Sequence, residues 1–138
     1  MARWRADVDV VMDGIEGLKV LLVEDEYVLA LGLTDALADL GAVVIGPVAT
    51  VEDALALVER MPEIDAAVLD VNLGREVVYP VADSLAARGI PFLFATANER
   101  ADLPERFAHV PVCAKPFHVE AFRDAVAALR VAPALRVA

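Results

Sequence analysis

The sequence predicts a doubly wound α/β domain, and three observations carry that prediction. Apolar runs at 20–23, 66–69, 91–95 and 110–114 have the length of strands and are too short for helices. Between them, apolar residues recur at helical spacing. Each run also ends on a reactive or charged residue: Glu24 and Asp25, Asp70, Thr96, and Lys115. Runs apolar throughout, rather than alternating, suit a parallel sheet covered on both faces. The carboxyl ends of such strands share one edge, where ligands bind.

From Lys19 the order reads strand then helix, five times. The first strand is expected at about 19–24. The next helix carries Leu29, Leu33, Leu37 and Leu40 on one stripe and stops near Gly41. The second strand, about 42–46, is expected to end at Gly46-Pro47. Thr50 with Asp53 resembles a capping box for a helix holding Leu55 and Val58, closed by Met61-Pro62. The third strand ends at Asp70. A loop at 71–77 leads to a helix that runs to about Arg88, with Gly89 as its stop. The fourth strand is about 91–95. Pro104 allows only a short helix within 97–109. The fifth strand is about 110–114, and a last helix places Phe122, Val126 and Leu129 on one face. Right-handed crossovers then set helices on both faces of the sheet.

Residues 1–17 stand apart from this pattern. Trp4, Val8, Val11, Met12 and Ile15 share one helical face, and Gly14 and Gly17 interrupt it before the first strand. A short amphipathic extension is expected, with a frayed tail as the alternative, because so short a helix is marginal alone. If helical, its apolar face would meet a partner or a second copy of the chain, giving a homodimer. The expected division is therefore an extension at 1–17, the main domain at 18–131, and a tail at 132–138 with no clear role.

Bulk properties narrow the function classes. The 138 residues suffice for one domain with a real core, and 59% are hydrophobic, so the chain is not disordered. A net charge of −10 argues against binding nucleic acid or an anionic membrane surface. The single cysteine, Cys113, excludes an internal disulfide, fits a cytoplasmic protein, and reads as a buried inert thiol. No apolar run approaches the roughly 18 residues of a membrane span. Asp7, Asp9 and Asp13 interrupt any signal-peptide core.

The strand-end residues form a chemical set. Glu24, Asp25 and Asp70 would be neighbours if the first and third strands pair. Carboxylates at ~4 Å repel by about 4 kcal/mol per pair at an effective dielectric of about 20. A cation or a raised pKa relieves that repulsion. Oxygen-only ligands suit Mg²⁺ better than Zn²⁺, which prefers His and Cys. Asp70 can be read as a nucleophile that accepts a phosphoryl group as an acyl phosphate. Lys115 would place a point charge on one phosphoryl oxygen, and the Thr96 hydroxyl would donate to another. Taken singly each residue has a plain structural role; Glu24-Asp25-Glu26, for example, would favour the next helix N-terminus. The ordered set points to phosphoryl chemistry.

These residues resemble the receiver domain of bacterial two-component response regulators over about 19–129. Val23-Glu24-Asp25-Glu26 is similar to the family's acidic pair, Leu69-Asp70-Val71-Asn72 to its phosphoacceptor segment, Thr96-Ala97 to its hydroxyl residue and small neighbour, and Lys115-Pro116-Phe117 to its lysine and cis-proline turn. The resemblance implies a flavodoxin-like five-stranded parallel sheet of order 2-1-3-4-5, an order for which the general rule on such sheets itself cites a receiver. It implies that Asp70 takes phosphate from the phosphohistidine of a sensor histidine kinase or phosphotransfer protein. It further implies that Asp25, Asp70 and the Asn72 carbonyl ligate Mg²⁺, with Glu24 acting through water, and that Lys115-Pro116 is cis. The sequence departs from the family at several positions. Val112 stands where an aromatic switch residue is common, Gly74 where a proline is, and His118 where a Ser cap is. Phe94-Ala95-Thr96 resembles a subgroup of single-domain receivers known by a "FAT GUY" pattern, but Ala97 and Asn98 replace its glycine and aromatic.

The expected function is that of a stand-alone receiver that signals to an unknown downstream protein by changed partner binding, without enzymatic turnover of a substrate. The moving element is expected at 97–109 with the adjoining helix surface. Two other classes fit less well. One is an interaction scaffold that keeps the acidic site without phosphotransfer. The other is an Asp-nucleophile phosphatase, which would usually carry a second Asp where Asn72 stands.

Overall fold

The structure, a computed structural model, describes residues 15–97, 102–116 and 118–137, with side chains to 129. Strands β1 (Lys19–Val23), β2 (Val43–Val48), β3 (Ala66–Asp70), β6 (Phe92–Thr96) and β7 (Val112–Ala114) form one sheet. Its order is β2-β1-β3-β6-β7, and every pairing is parallel. Counting only these five, the order is the expected 2-1-3-4-5. Between and after them come helices α1 (Tyr27–Asp39), α2 (Val51–Arg60), α3 (Tyr79–Ala87) and α4 (Val119–Val137).

Side-chain alternation along each strand sorts the core into two layers. Leu21, Val23, Ala67, Leu69, Phe92 and Phe94 face one side, where Ala54 and Val58 of α2 and Val81, Ala82 and Leu85 of α3 cover them. Val20, Leu22, Val68, Leu93, Ala95 and Cys113 face the other, under Leu33 and Leu37 of α1 and Phe122, Val126 and Leu129 of α4. β1 and β3 are buried almost without break, which explains why they read as continuous apolar runs.

Local chemistry sets the element ends. The Thr50 hydroxyl accepts the Asp53 N–H at 3.1 Å and caps α2, as its spacing predicts. Gly41 and Gly89, at φ +88° and +71°, follow the ends of α1 and α3 at the expected stops. Arg88 donates to the carbonyls of Val58, Met61 and Pro62, satisfying the end of α2 from the neighbouring helix.

Three expectations are revised. β2 does not stop at Gly46-Pro47 but runs to Val48, with a cis Gly46-Pro47 bond and a shift in its pairing with β1. As an edge strand it tolerates a proline that could not donate to a further neighbour. Within the expected loop, β4 (Asn72–Leu73) and β5 (Glu76–Val77) pair as an antiparallel ribbon, with Asn72 opposite Val77 and Leu73 opposite Glu76. In the described part of the segment between β6 and β7, Pro104 precedes a 3₁₀ turn, Glu105–Phe107, in keeping with the short helix expected there. It is anchored by Leu103, Phe107 and Val110 in the core. Finally, α4 continues beyond 131, through Pro133, to Val137.

At the other end, Ile15 is fully buried in the α1–α4 layer, and the Gly17 N–H donates to the Gly41 carbonyl at 2.8 Å. Residues 15–17 thus pack as part of the main domain rather than of an independent extension. The expected helix at 1–17 otherwise lies outside the described residues.

Candidate phosphoryl-acceptor site

Parallel pairing in register brings the predicted residues to one edge. Val23 lies opposite Leu69 and Asp70 opposite Ala95, so the residues that leave β1, β3 and β6 sit side by side. The Lys115 N–H donates to the Thr96 carbonyl at 2.9 Å, which places the lysine just past β7 at the same edge. The Lys115-Pro116 bond is cis, as the resemblance implies.

Carboxylate oxygens of Glu24, Asp25 and Asp70 all lie within 4.8 Å of one another. Lys115 Nζ sits between two of them, 3.0 Å from Glu24 Oε1 and 3.2 Å from Asp70 Oδ2. Glu24 Oε2 accepts the Glu26 N–H at 3.1 Å, and Asp70 Oδ1 accepts the Asn72 N–H at 3.3 Å. Thr96 is fully buried at the end of β6, beside Asp70's strand. Glu24 and Asp70 are buried while Asp25 is exposed, so the carboxylate set opens to solvent on the Asp25 side.

Burial, and next to it the Asp70 carboxylate, push the Glu24 carboxyl up to about 7, against the opposing pull of Lys115. Burial alone would lower the Lys115 ammonium; contacts with Glu24 and Asp70 outweigh it and leave the ammonium raised. The lysine therefore stays charged. Cys113 is buried and its thiol is pushed up by burial, which fits an inert role.

Sequence alone names every one of these side chains but gives neither the contact of Glu24 with Lys115 nor the ribbon that follows Asp70. Gly74 turns at φ +63°, and a Cβ built on it would lie 4.0 Å from Asp25 Oδ2, so the ribbon tip borders the carboxylates. Gly74-Arg75-Glu76, a glycine followed by charged residues shortly after the acid, is the available signal.

No family model matches the chain, and no curated protein matches it. Solved structures do. SdrG from Sphingomonas melonis Fr1 is 46% identical, with 84% of this chain and 97% of that one covered at a TM-score of 0.71. SdrG from Pseudomonas melonis Fr1, in a BeF3-activated conformation, is 45% identical over 84% and 99% at 0.70. The response regulator receiver domain of Erythrobacter litoralis PhyR is 25% identical over 83% and 90% at 0.73. The chain belongs to the response regulator receiver family. The receiver has the flavodoxin-like fold of two-component signalling domains, whose role is signalling rather than enzymatic. Among its described residues, no helix is long and apolar enough to cross a membrane.

Proposed function

We infer that this receiver accepts a phosphoryl group on Asp70 from the phosphohistidine of a histidine kinase or phosphotransfer protein, and passes the signal on through altered partner binding. The observation that carries the reading is the placement of Lys115 within reach of both Glu24 and Asp70 in a three-carboxylate pocket. The SdrG relative in a BeF3-activated conformation supports the same reading.

An Asp70 oxygen would form a bond to phosphorus as the bond from phosphorus to the donor nitrogen breaks. Lys115, charged and hydrogen-bonded to Asp70, is positioned to hold a phosphoryl oxygen. Thr96 ends the strand next to Asp70's and offers a hydroxyl from a buried position. The donor set is all oxygen and partly solvent-exposed, which fits Mg²⁺. Asp25, Asp70 and the Asn72 backbone would hold the ion, with Glu24 through water. When bound, it would neutralise charge on the transferring group.

Phosphorylation would replace the single negative charge of Asp70 by up to about two, a net change of about one. The element proposed to respond is the segment after Thr96, of which residue 97 and 102–110 are described. Rings hold its described part to β6 and α3. Phe107 packs 5.4 Å from Phe94 and 5.6 Å from Tyr79, centroid to centroid. Downstream, the receiver would meet a protein target, not nucleic acid or membrane, as its net charge of −10 favours. The proposed division keeps residues before 15 as an extension that, if helical, would engage a partner or a second copy through its apolar face.

Backbone amide NMR tests the site. Beryllium fluoride with Mg²⁺ is expected to shift resonances around Glu24, Asp70, Thr96 and Lys115 in wild type and leave Asp70→Asn unmoved. Equal shifts in both proteins would remove Asp70 from this role.

A further inference from the structure

We propose that Arg75, at the tip of the β4–β5 ribbon, is a donor-binding residue that engages the anionic phosphoryl group as it enters. The inference rests on the phosphoacceptor reading of Asp70. Three observations lead to it.

The ribbon is a fixed element rather than a slack loop. Val71, Leu73 and Val78 are buried, and the Val78 N–H donates to the Val71 carbonyl at 2.9 Å, closing its base. Glu76 Oε2 accepts the Val51 N–H at 3.4 Å and ties the ribbon to the first turn of α2. The turn residues Gly74 and Arg75 are thereby held at one place.

That place is the open side of the site. Gly74 borders Asp25, the exposed acid of the three, and Arg75 follows it directly. Arg75 is exposed, and no acid among the described residues pairs with it. By contrast, Lys115 is already committed to Glu24 and Asp70.

Formal charge gives the arginine work to do. Three carboxylates against one lysine and one divalent cation, if bound, would leave the pocket formally neutral. An incoming phosphoryl group adds up to about two negative charges, on a protein whose net charge of −10 repels any anion. A guanidinium on a long stem, next in sequence to the glycine that borders Asp25 and paired with no acid among the described residues, offsets that repulsion, and its planar fork suits phosphoryl oxygens.

The test follows aspartyl phosphorylation by acetyl phosphate with saturating Mg²⁺, in the full chain, for wild type, Arg75→Lys, Arg75→Ala and Arg75→Glu, with Asp70→Asn as the blank. Labelling is expected to slow by about fivefold or more in Arg75→Ala, further in Arg75→Glu, and less in Arg75→Lys, with the gap to wild type closing as salt is raised. Beryllium fluoride affinity should fall in the same order. Mg²⁺ affinity should hold or tighten, since a cation has left its neighbourhood, and thermal stability should not move. If wild type is labelled and the Arg75 variants match it, this proposal alone fails, and Arg75 is a solvated surface charge. If wild type takes no label, both this proposal and the reading of Asp70 fail.

Discussion

The ammonium of Lys115 lies 3.0 Å from Glu24 Oε1, across 91 positions of sequence. The same ammonium is 3.2 Å from Asp70, so one cation ties the ends of β1, β3 and β7 together. Fold and site are coupled here: the contact requires the sheet order, and the sheet edge is held by the contact.

Lys115→Met should therefore weaken the metal-free protein. Two buried acids lose their counter-charge, which costs about 3 to 5 kcal/mol for a fully buried pair. Glu24 can recover part of this by keeping its proton, so a loss of about 2 kcal/mol is expected near neutral pH. Mg²⁺ should restore part of the loss. Urea unfolding with EDTA or with Mg²⁺ checks both; a variant as stable as wild type in EDTA would mean the lysine contributes nothing to the fold.

Stability should also depend on pH through Glu24. Its carboxyl rises from the ordinary 4.5 to about 7 in the folded state. Between those values the folded chain keeps a proton that the unfolded chain has released, so stability falls as pH rises. The contribution is complete below 4.5 and gone above about 7. In EDTA, unfolding midpoints should decline across this window in wild type, and the decline should shrink in Glu24→Gln. Identical pH profiles for the two proteins would contradict the assignment.

Gly46 offers a test of the edge strand. Its φ of +99° is strained for any side chain, and a Cβ there would lie 2.9 Å from the Val48 nitrogen and 3.0 Å from the Leu22 carbonyl oxygen. Both neighbours are backbone and cannot step aside. Gly46→Ala should cost about 2 kcal/mol or more in chemical denaturation. Gly32→Ala, with φ in the ordinary range and open space around it, should be neutral or slightly stabilising.

Much of this was readable beforehand, for physical reasons that differ by element. Thr50 with Asp53, Gly41 and Gly89 mark helix ends through local chemistry, which a sequence carries directly. The continuous burial of β1 and β3 made their runs visible, and the ordered strand-end residues identified the site. Other features depend on partners distant in sequence. Pro47 is tolerated within β2 because, among the described residues, no strand pairs beyond that edge. The ribbon strands are two residues each, too short for any periodicity. Ile15 fits both an exposed stripe and a core position, and only the fold around it shows that it is buried. Likewise, adjacent acids look alike in sequence, and only the fold shows that Glu24 is buried against Lys115 while Asp25 is exposed.

The most direct measurement is the intact mass of the protein after incubation with Mg²⁺ and a phosphorylated histidine kinase or acetyl phosphate. Wild type should gain the mass of one phosphoryl group, lost on mild alkaline treatment as an acyl phosphate is, and Asp70→Asn should gain none. A wild type that takes up no phosphoryl group under these conditions, or an Asp70→Asn variant that takes it up equally, would contradict the account.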